Sequence, residues 1–193
     1  MSRRLPLIFV AAVTVIGIVV AGVAIAASGV DGGATAFTVN GTKVSQATLD
    51  HQLKELADSK TVRQTVKRQG GDPDRSTLDP TITASLISAE IAHRLVVDEA
   101  QHRGVTVSKA DRAKERASLK QQLAGLPASY VDLSADLNAH AAALGFDSTA
   151  LNTFLVRAFR KADVTVDPRY GTWHPARGVC PPAGCSATAG AGG

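Results

Sequence analysis

Two Glu-x-x-His pairs are the residues of this chain whose types and spacing are most typical of a chemical site. They are Glu90 with His93 and Glu99 with His102. In helical di-iron proteins the same spacing supplies metal ligands, but from different helices that face each other. Here both pairs fall in one predicted helix, nine residues apart. Because an α-helix turns about 100° per residue, the two pairs point to opposite sides of that helix. We therefore expect neither pair to hold a metal.

The other residues that could do chemistry are scattered along the sequence. His51, His140 and His174 are isolated from one another and from any cysteine cluster. No Ser, His and Asp arrangement is typical of a hydrolase, and no glycine-rich loop between a strand and a helix could cradle phosphate. The sequence predicts no catalytic residue, no metal and no cofactor.

The charge balance argues against a nucleic-acid partner. The formal net charge is +4, and Arg3 and Arg4 belong to a predicted targeting segment. Without them, 19 basic residues face 17 acidic ones, a net charge of +2. No basic stripe carries interleaved aromatic residues, so we expect no binding of nucleic acid.

Residues 5–27 form an uncharged apolar run directly after Arg3 and Arg4. Positively charged residues beside a membrane segment usually stay on the cytoplasmic side. Arg3 and Arg4 therefore predict that the domain after the apolar run is exported. The run matches the ~20 residues that span a bilayer and exceeds the ~7–15 of a signal-peptide core. We predict a single-pass signal anchor in 1–27 and a flexible linker in 28–35. Ala24-Ile25-Ala26 fits a cleavage site, which leaves secretion as the alternative.

The longest amphipathic segment, residues 79–104, organises the predicted domain. An Asp-Pro start and a glycine at its end are typical helix boundaries. Its apolar stripe contains Ile82, Leu86, Ile91 and Leu95 at helical spacing. So long a stripe needs cover, which we expect from the helices that contain residues 49–56 and 151–162.

Shorter elements surround this helix in a mainly α domain over residues 36–174. Residues 36–41 predict a strand with an Asn-Gly turn, and 164–166 predict a second strand that pairs with it from the other end of the domain. Further helices are predicted after Ser45, at 109–123, at 134–145 and at 148–162. Residues 57–78 are predicted to form a solvated loop or frayed helix, and the tail 175–193 to be disordered.

Cys180 and Cys185 are the only cysteines of the chain. In an exported protein a disulfide is the default interpretation. Their CxxxxC spacing differs from the CxxC of redox and zinc sites. We predict a passive, local disulfide.

The element order and several short motifs resemble the SurA/PrsA-type periplasmic foldases. The motifs are VNG-x-x-VS at 39–45, the apolar pattern at 82–87 and the run 97–111 with its EA-x-x-x-GV-x-VS core. The closing DVTVDPRYGTW resembles the end of exported actinobacterial relatives of that group. The resemblance covers residues 37–173 and implies a SurA N-terminal-like helical domain.

In that family the helical domain is a chaperone for unfolded exported polypeptides, and a parvulin prolyl isomerase domain is often inserted before the last helix. Only about 24 residues separate Leu123 from Ser148 here, fewer than the ~50 of the smallest ordinary domains. The resemblance therefore implies a chaperone-like domain that is not an enzyme.

We expect clients to bind in an apolar groove between the helices. The predicted groove residues are Leu49, Leu53, Leu86, Leu95, Phe154 and Phe159. Each also fits core packing, because amphipathic faces usually form the core. The alternative is a membrane-anchored interaction protein that binds one folded envelope or secretion partner. A remnant isomerase would need a polar pocket, which the sequence does not predict.

Overall fold

The computed structural model describes residues 33–68 and 80–182, which form six helices and five short strands. The helices are α1 Gln46–Asp58, α2 Lys60–Arg68, α3 Pro80–His102, α4 Lys109–Leu119, α5 Ala128–Ala143 and α6 Ser148–Lys161. The strands are β1 Thr35–Val39, β2 Thr42–Ser45, β3 Val164–Val166, β4 Thr172–His174 and β5 Gly178–Cys180. The mainly helical class is confirmed for this part of the chain.

Several predictions fall outside these residues. They concern the membrane segment at 5–27, most of the linker, the helix cap at Asp79, and Cys185. Within the described ranges, no helix combines the length and the apolar character needed to cross a membrane.

A three-stranded sheet of β1, β2 and β3 joins the beginning of the described domain to the segment that follows α6. β1 lies between β2 and β3, antiparallel to both, with Phe37 opposite Val166. Asn40 and Gly41 have φ values of 48° and 81°, as a two-residue hairpin turn requires. The Asn40 side chain also accepts a hydrogen bond from the backbone N–H of Asp163 at 3.1 Å, which fixes the start of β3. The predicted pairing is confirmed, but the sheet has three strands instead of two.

The organising helix is confirmed as α3. It ends at His102, and Gly104 takes the left-handed conformation with φ 65°. Leu86, Ile87 and Ile91 are fully buried in the core. α6 packs on α3 as expected, and α5 and β5 cover it as well.

α4 ends at Leu119 instead of at 123. Two other helices, α2 and α5, differ more from their predicted extents. α2 is a regular helix where a loop or frayed helix was predicted, because Val62 and Val66 lie one turn apart and are both buried. α5 begins at Ala128 instead of near Ser134, since Tyr130 and Leu133 bury its first turns in the core. Both differences come from tertiary contacts of a few apolar residues inside polar segments.

The first part of the predicted disordered tail is folded, so the domain boundary at 174 is wrong. β5 pairs with β4 and lies against α3. Val179 and Cys180 are buried, and the backbone N–H of Val179 donates to Ser88 Oγ at 2.8 Å. Two buried residues without periodicity are too short a pattern to predict a strand. The disulfide stays a prediction, because Cys185 is outside the described residues.

We expect β5 to contribute measurably to stability. A chain that ends after His174 should unfold more easily than one that ends after residue 182, because burial of a side chain such as Val179 is worth about 2 kcal/mol. Urea unfolding followed by circular dichroism measures the difference. Both chains lack Cys185, so a disulfide cannot explain it. Equal midpoints would contradict the packing of β5.

Candidate functional site

A buried polar cluster lies where α3, α4 and α5 meet. Its centre is the carboxylate of Asp136 in α5, which accepts a hydrogen bond from His93 Nε2 of α3 at 2.6 Å and another from Arg112 Nε of α4. His140 Nδ1 donates to the backbone carbonyl of Asp136 at 2.8 Å and lies 3.4 Å from Oδ2. We call these four residues, His93, Arg112, Asp136 and His140, the Asp136 cluster.

Local sequence explains how the helices bring these side chains together. Asp136 and His140 are four residues apart, so both side chains lie on one face of α5. The small buried residues Ala135 and Ala139 lie in the same turns of α5 and allow a close approach to α3. His93 belongs to the buried side of α3, with 8 % of its surface exposed.

The cluster holds Asp136 in its charged form. Burial alone raises the pKa of the Asp136 carboxyl, but the hydrogen bonds from His93 and Arg112 and the charges of both histidines outweigh it. Their sum lowers the pKa of Asp136 to about 2. A carboxylate whose side chain is 14 % exposed thus stays ionised across the physiological range.

The Asp136 cluster combines other residues than the two Glu-x-x-His pairs of the sequence. His93 bonds to Asp136 and not to Glu90, and His140, predicted to be isolated, has its ring centroid 6.4 Å from that of His93. Glu99 pairs with Arg103, and His102 is exposed. The Asp-x-x-x-His spacing of Asp136 and His140 in a predicted helix could have indicated this pair. No sequence pattern indicates that His93, 43 residues earlier, lies beside them.

Glu90 lies one turn before His93 on α3 but has a different partner. Gln52 of α1 donates from Nε2 to Glu90 Oε1 at 2.8 Å, and both side chains are almost fully buried. Burial raises the pKa of Glu90 against the opposing effects of the Gln52 hydrogen bond and the charges of His93 and Arg94. Gln52 Oε1 is buried without a partner. The O–H group of a protonated Glu90 carboxyl is the kind of hydrogen-bond donor that Gln52 Oε1 lacks.

A largely apolar groove of about 590 Å³ is lined by α4, by residues 120–126 that connect α4 to α5, and by Val131 near the start of α5. Its lining residues are Ala113, Arg116, Ala117, Lys120, Leu123, Ala124, Gly125, Leu126 and Val131. We call this feature the α4–α5 groove. α4 contributes no buried residue to the core. Two ion pairs join α4 to α5, Arg112 with Asp136 and Arg116 with Asp132.

Three of the predicted groove residues belong to the core. Leu49 and Leu86 are fully buried and Leu95 is 6 % exposed, so a client cannot reach their side chains. The expectation that they line an open groove is wrong. Their periodic spacing is equally typical of core positions, and here they pack in the core.

The other three predicted groove residues are partly buried. Leu53 and Phe159 pack against the core, and Phe159 meets Trp173 edge-on at 5.2 Å between centroids. Phe154 of α6 lies against Phe146, with centroids 5.2 Å apart. The open groove is lined by none of the six residues.

Comparison of the chain with protein-family models, with curated proteins and with solved structures finds no match. The resemblance to periplasmic foldases therefore stays a prediction from the short motifs.

We predict that the two Asp–Arg pairs of α4 contribute unequally to stability. Asp136→Asn should lower the free energy of unfolding by about 3 kcal/mol, because it weakens a largely buried charge network. Asp132→Asn is the matched control and should cost at most about 1 kcal/mol, because its ion pair with Arg116 is half exposed. Urea denaturation at neutral pH measures both. Equal losses would contradict a central role for Asp136.

Glu90 should make stability depend on pH. Its pKa is raised in the folded state, so its contribution to stability is complete below the unfolded value of about 4.5 and is lost as pH rises through the folded value. Glu90→Gln should therefore stabilise the protein by about 2 kcal/mol at pH 8 and by little at pH 4, because it removes a buried charge.

Chemical denaturation at the two pH values tests this effect, with Glu99→Gln on the same helix as control. Glu99 forms an exposed pair with Arg103, so its substitution should change stability by less than about 1 kcal/mol. A Glu90→Gln variant that is no more stable than the wild type at pH 8 would contradict the buried-charge argument.

Proposed function

We propose that this protein is an extracytoplasmic, chaperone-like domain that binds apolar segments of unfolded or exported polypeptides and has no prolyl isomerase activity. The α4–α5 groove is the observation that carries the proposal. Its volume of about 590 Å³ lies in the ~300–1,000 Å³ range of ligand-binding clefts, which are mostly apolar with a few polar groups.

The composition of the groove suits a client without a defined sequence. Most of its lining is alanine, leucine and valine, which contact apolar side chains without directional requirements. Arg116 is engaged by Asp132, whereas Lys120 is exposed and forms no ion pair within the described ranges. The Lys120 ammonium group can donate to carbonyl or carboxylate groups of a bound chain.

The attachment of α4 suits clients of different sizes. No residue of α4 is buried, so we expect that α4 can shift along α5 and change the width of the groove without disturbing the core. The Arg116–Asp132 pair is half exposed and contributes little to holding α4 in one position. Arg112 retains α4 through the Asp136 cluster while the rest of the helix adjusts.

The proposed site replaces the groove between α1, α3 and α6. The sequence motifs that resemble the foldases still support a chaperone-like role. The interval in which an isomerase domain is often inserted in that family contains α5, which supports the absence of that activity. Export and membrane anchoring rest on residues 1–27 and belong to the same proposal.

The outer face of α6 favours a second candidate, a membrane-anchored protein that binds one folded partner. α6 has no buried residue, and Val156 is 46 % exposed. Leu151, Phe154 and Leu155 on the same helix are only partly buried. A single partner on this face would bind with saturable one-to-one stoichiometry and would not compete with unfolded chains.

We expect the wild-type protein to slow the aggregation of an unfolded exported polypeptide, and Ala117→Glu to abolish this effect, because it places a charge in the apolar lining of the α4–α5 groove. Ala110→Glu is the matched control on an exposed part of α4 outside the groove. Light scattering during dilution from denaturant measures aggregation. The proposal fails if wild-type protein gives no protection, or if both variants protect equally well.

A further inference from the structure

The Asp136 cluster contains a set of metal-ligating groups that the chaperone-like function does not use. One ligand atom from each of His93, Asp136 and His140 lies within 4.8 Å of the other two. Two imidazoles and one carboxylate are ligands that suit zinc and neighbouring first-row metals. We propose that these three side chains bind a divalent transition metal of the zinc class.

The three ligands come from rigid elements with a suitable arrangement. Asp136 and His140 are one turn apart on α5, the spacing at which two residues of one helix bind one metal. His93 approaches from α3, which is anchored in the core. Three protein ligands with a fourth, open position are typical of zinc sites that bind water or a further ligand.

Side-chain rotation would bring the ligand atoms into range. Ligands of a tetrahedral zinc ion at ~2.1 Å lie about 3.4 Å from one another. His93 Nε2 and His140 Nδ1 are already 2.6 Å and 3.4 Å from Asp136 Oδ2. An ion between them requires His93 Nε2 to move about 0.8 Å away from Asp136 Oδ2, a change that side-chain rotation can supply.

The hydrogen bonds of the cluster can be exchanged for metal bonds. The metal binds each ring nitrogen without its proton: a neutral imidazole carries that proton on its other ring nitrogen instead, and a protonated imidazole releases one proton to solvent. The Asp136 carbonyl loses the His140 side chain, but α5 still supplies the backbone N–H of His140 as its helical partner.

Arg112 fits as an outer partner of the proposed site. Its Nε bonds to Asp136 Oδ1, whereas His93 bonds to Oδ2. The guanidinium group therefore orients the carboxylate and leaves Oδ2 for the metal, as outer-shell donors do in metal sites. Its positive charge opposes that of the ion, so we expect moderate affinity instead of the very tight binding of an all-cysteine site.

Titration of the full-length, oxidised chain with ZnCl₂ tests the site by isothermal calorimetry, because the predicted disulfide of Cys180 and Cys185 leaves no thiol to bind zinc. We expect one ion per chain. His93→Asn and His140→Asn should each weaken binding at least about tenfold, the low end of the loss when even an outer-shell partner is removed. Asparagine keeps a polar amide but cannot replace the imidazole as a zinc ligand. His102→Asn, an exposed position on the same helix, should bind as the wild type does.

The wild-type protein supplies a second measurement if the variants do not fold. Co²⁺ in place of Zn²⁺ should give the intense visible absorption of a four-coordinate site, and imidazole nitrogen resonances of His93 and His140 should shift on addition of Zn²⁺. No saturable binding, or unchanged resonances of both histidines, would overturn the proposal and leave the cluster as a purely structural network. Ala117→Glu should bind Zn²⁺ normally, so failure of the groove hypothesis would not affect this result.

Discussion

The hydrogen bonds of the Asp136 carboxylate join the three helices α3, α4 and α5. The carboxylate bonds to a histidine of the buried helix α3 and to an arginine of α4, a helix that buries no residue of its own. α4 lies along α5 in an extensive contact, and the ion pairs of Arg112 with Asp136 and of Arg116 with Asp132 join the two helices. The α4–α5 groove lies beside this contact and is lined by α4, residues 120–126 and Val131 of α5.

Local patterns predicted the elements whose signals lie within a few residues. α3, α6, the Asn40-Gly41 turn and the pairing of β1 with β3 follow from caps, turn residues and periodicity. β5 and the first turns of α5 did not, because each depends on contact with a distant element. The Asp136 cluster is the clearest case, since His93 and Asp136 are 43 positions apart. Spacing within one helix can indicate half of such a site, but the packing of α3 on α5 completes it.

The proposed groove and the proposed metal site both involve α4 and α5, because Arg112 of α4, next to the groove residue Ala113, bonds to the metal ligand Asp136 of α5. If both proposals hold, a client that moves α4 also changes the orientation of the Asp136 carboxylate through Arg112. In the same way, a metal ion that fixes this carboxylate also restrains α4. Coupling of this kind is reciprocal, so each ligand would change the affinity of the other by the same factor. The predicted groove between α1, α3 and α6 would have no such link, because its residues belong largely to the core.

Photo-crosslinking tests the central claim most directly, because it reports where an unfolded chain lies on the protein. A photoreactive amino acid is placed at position 117 in the α4–α5 groove or at 156 on the exposed face of α6. The account predicts strong crosslinks from position 117 to an unfolded exported polypeptide and weak ones from 156. Crosslinks from 156 alone, or from neither position, would contradict client binding in the α4–α5 groove.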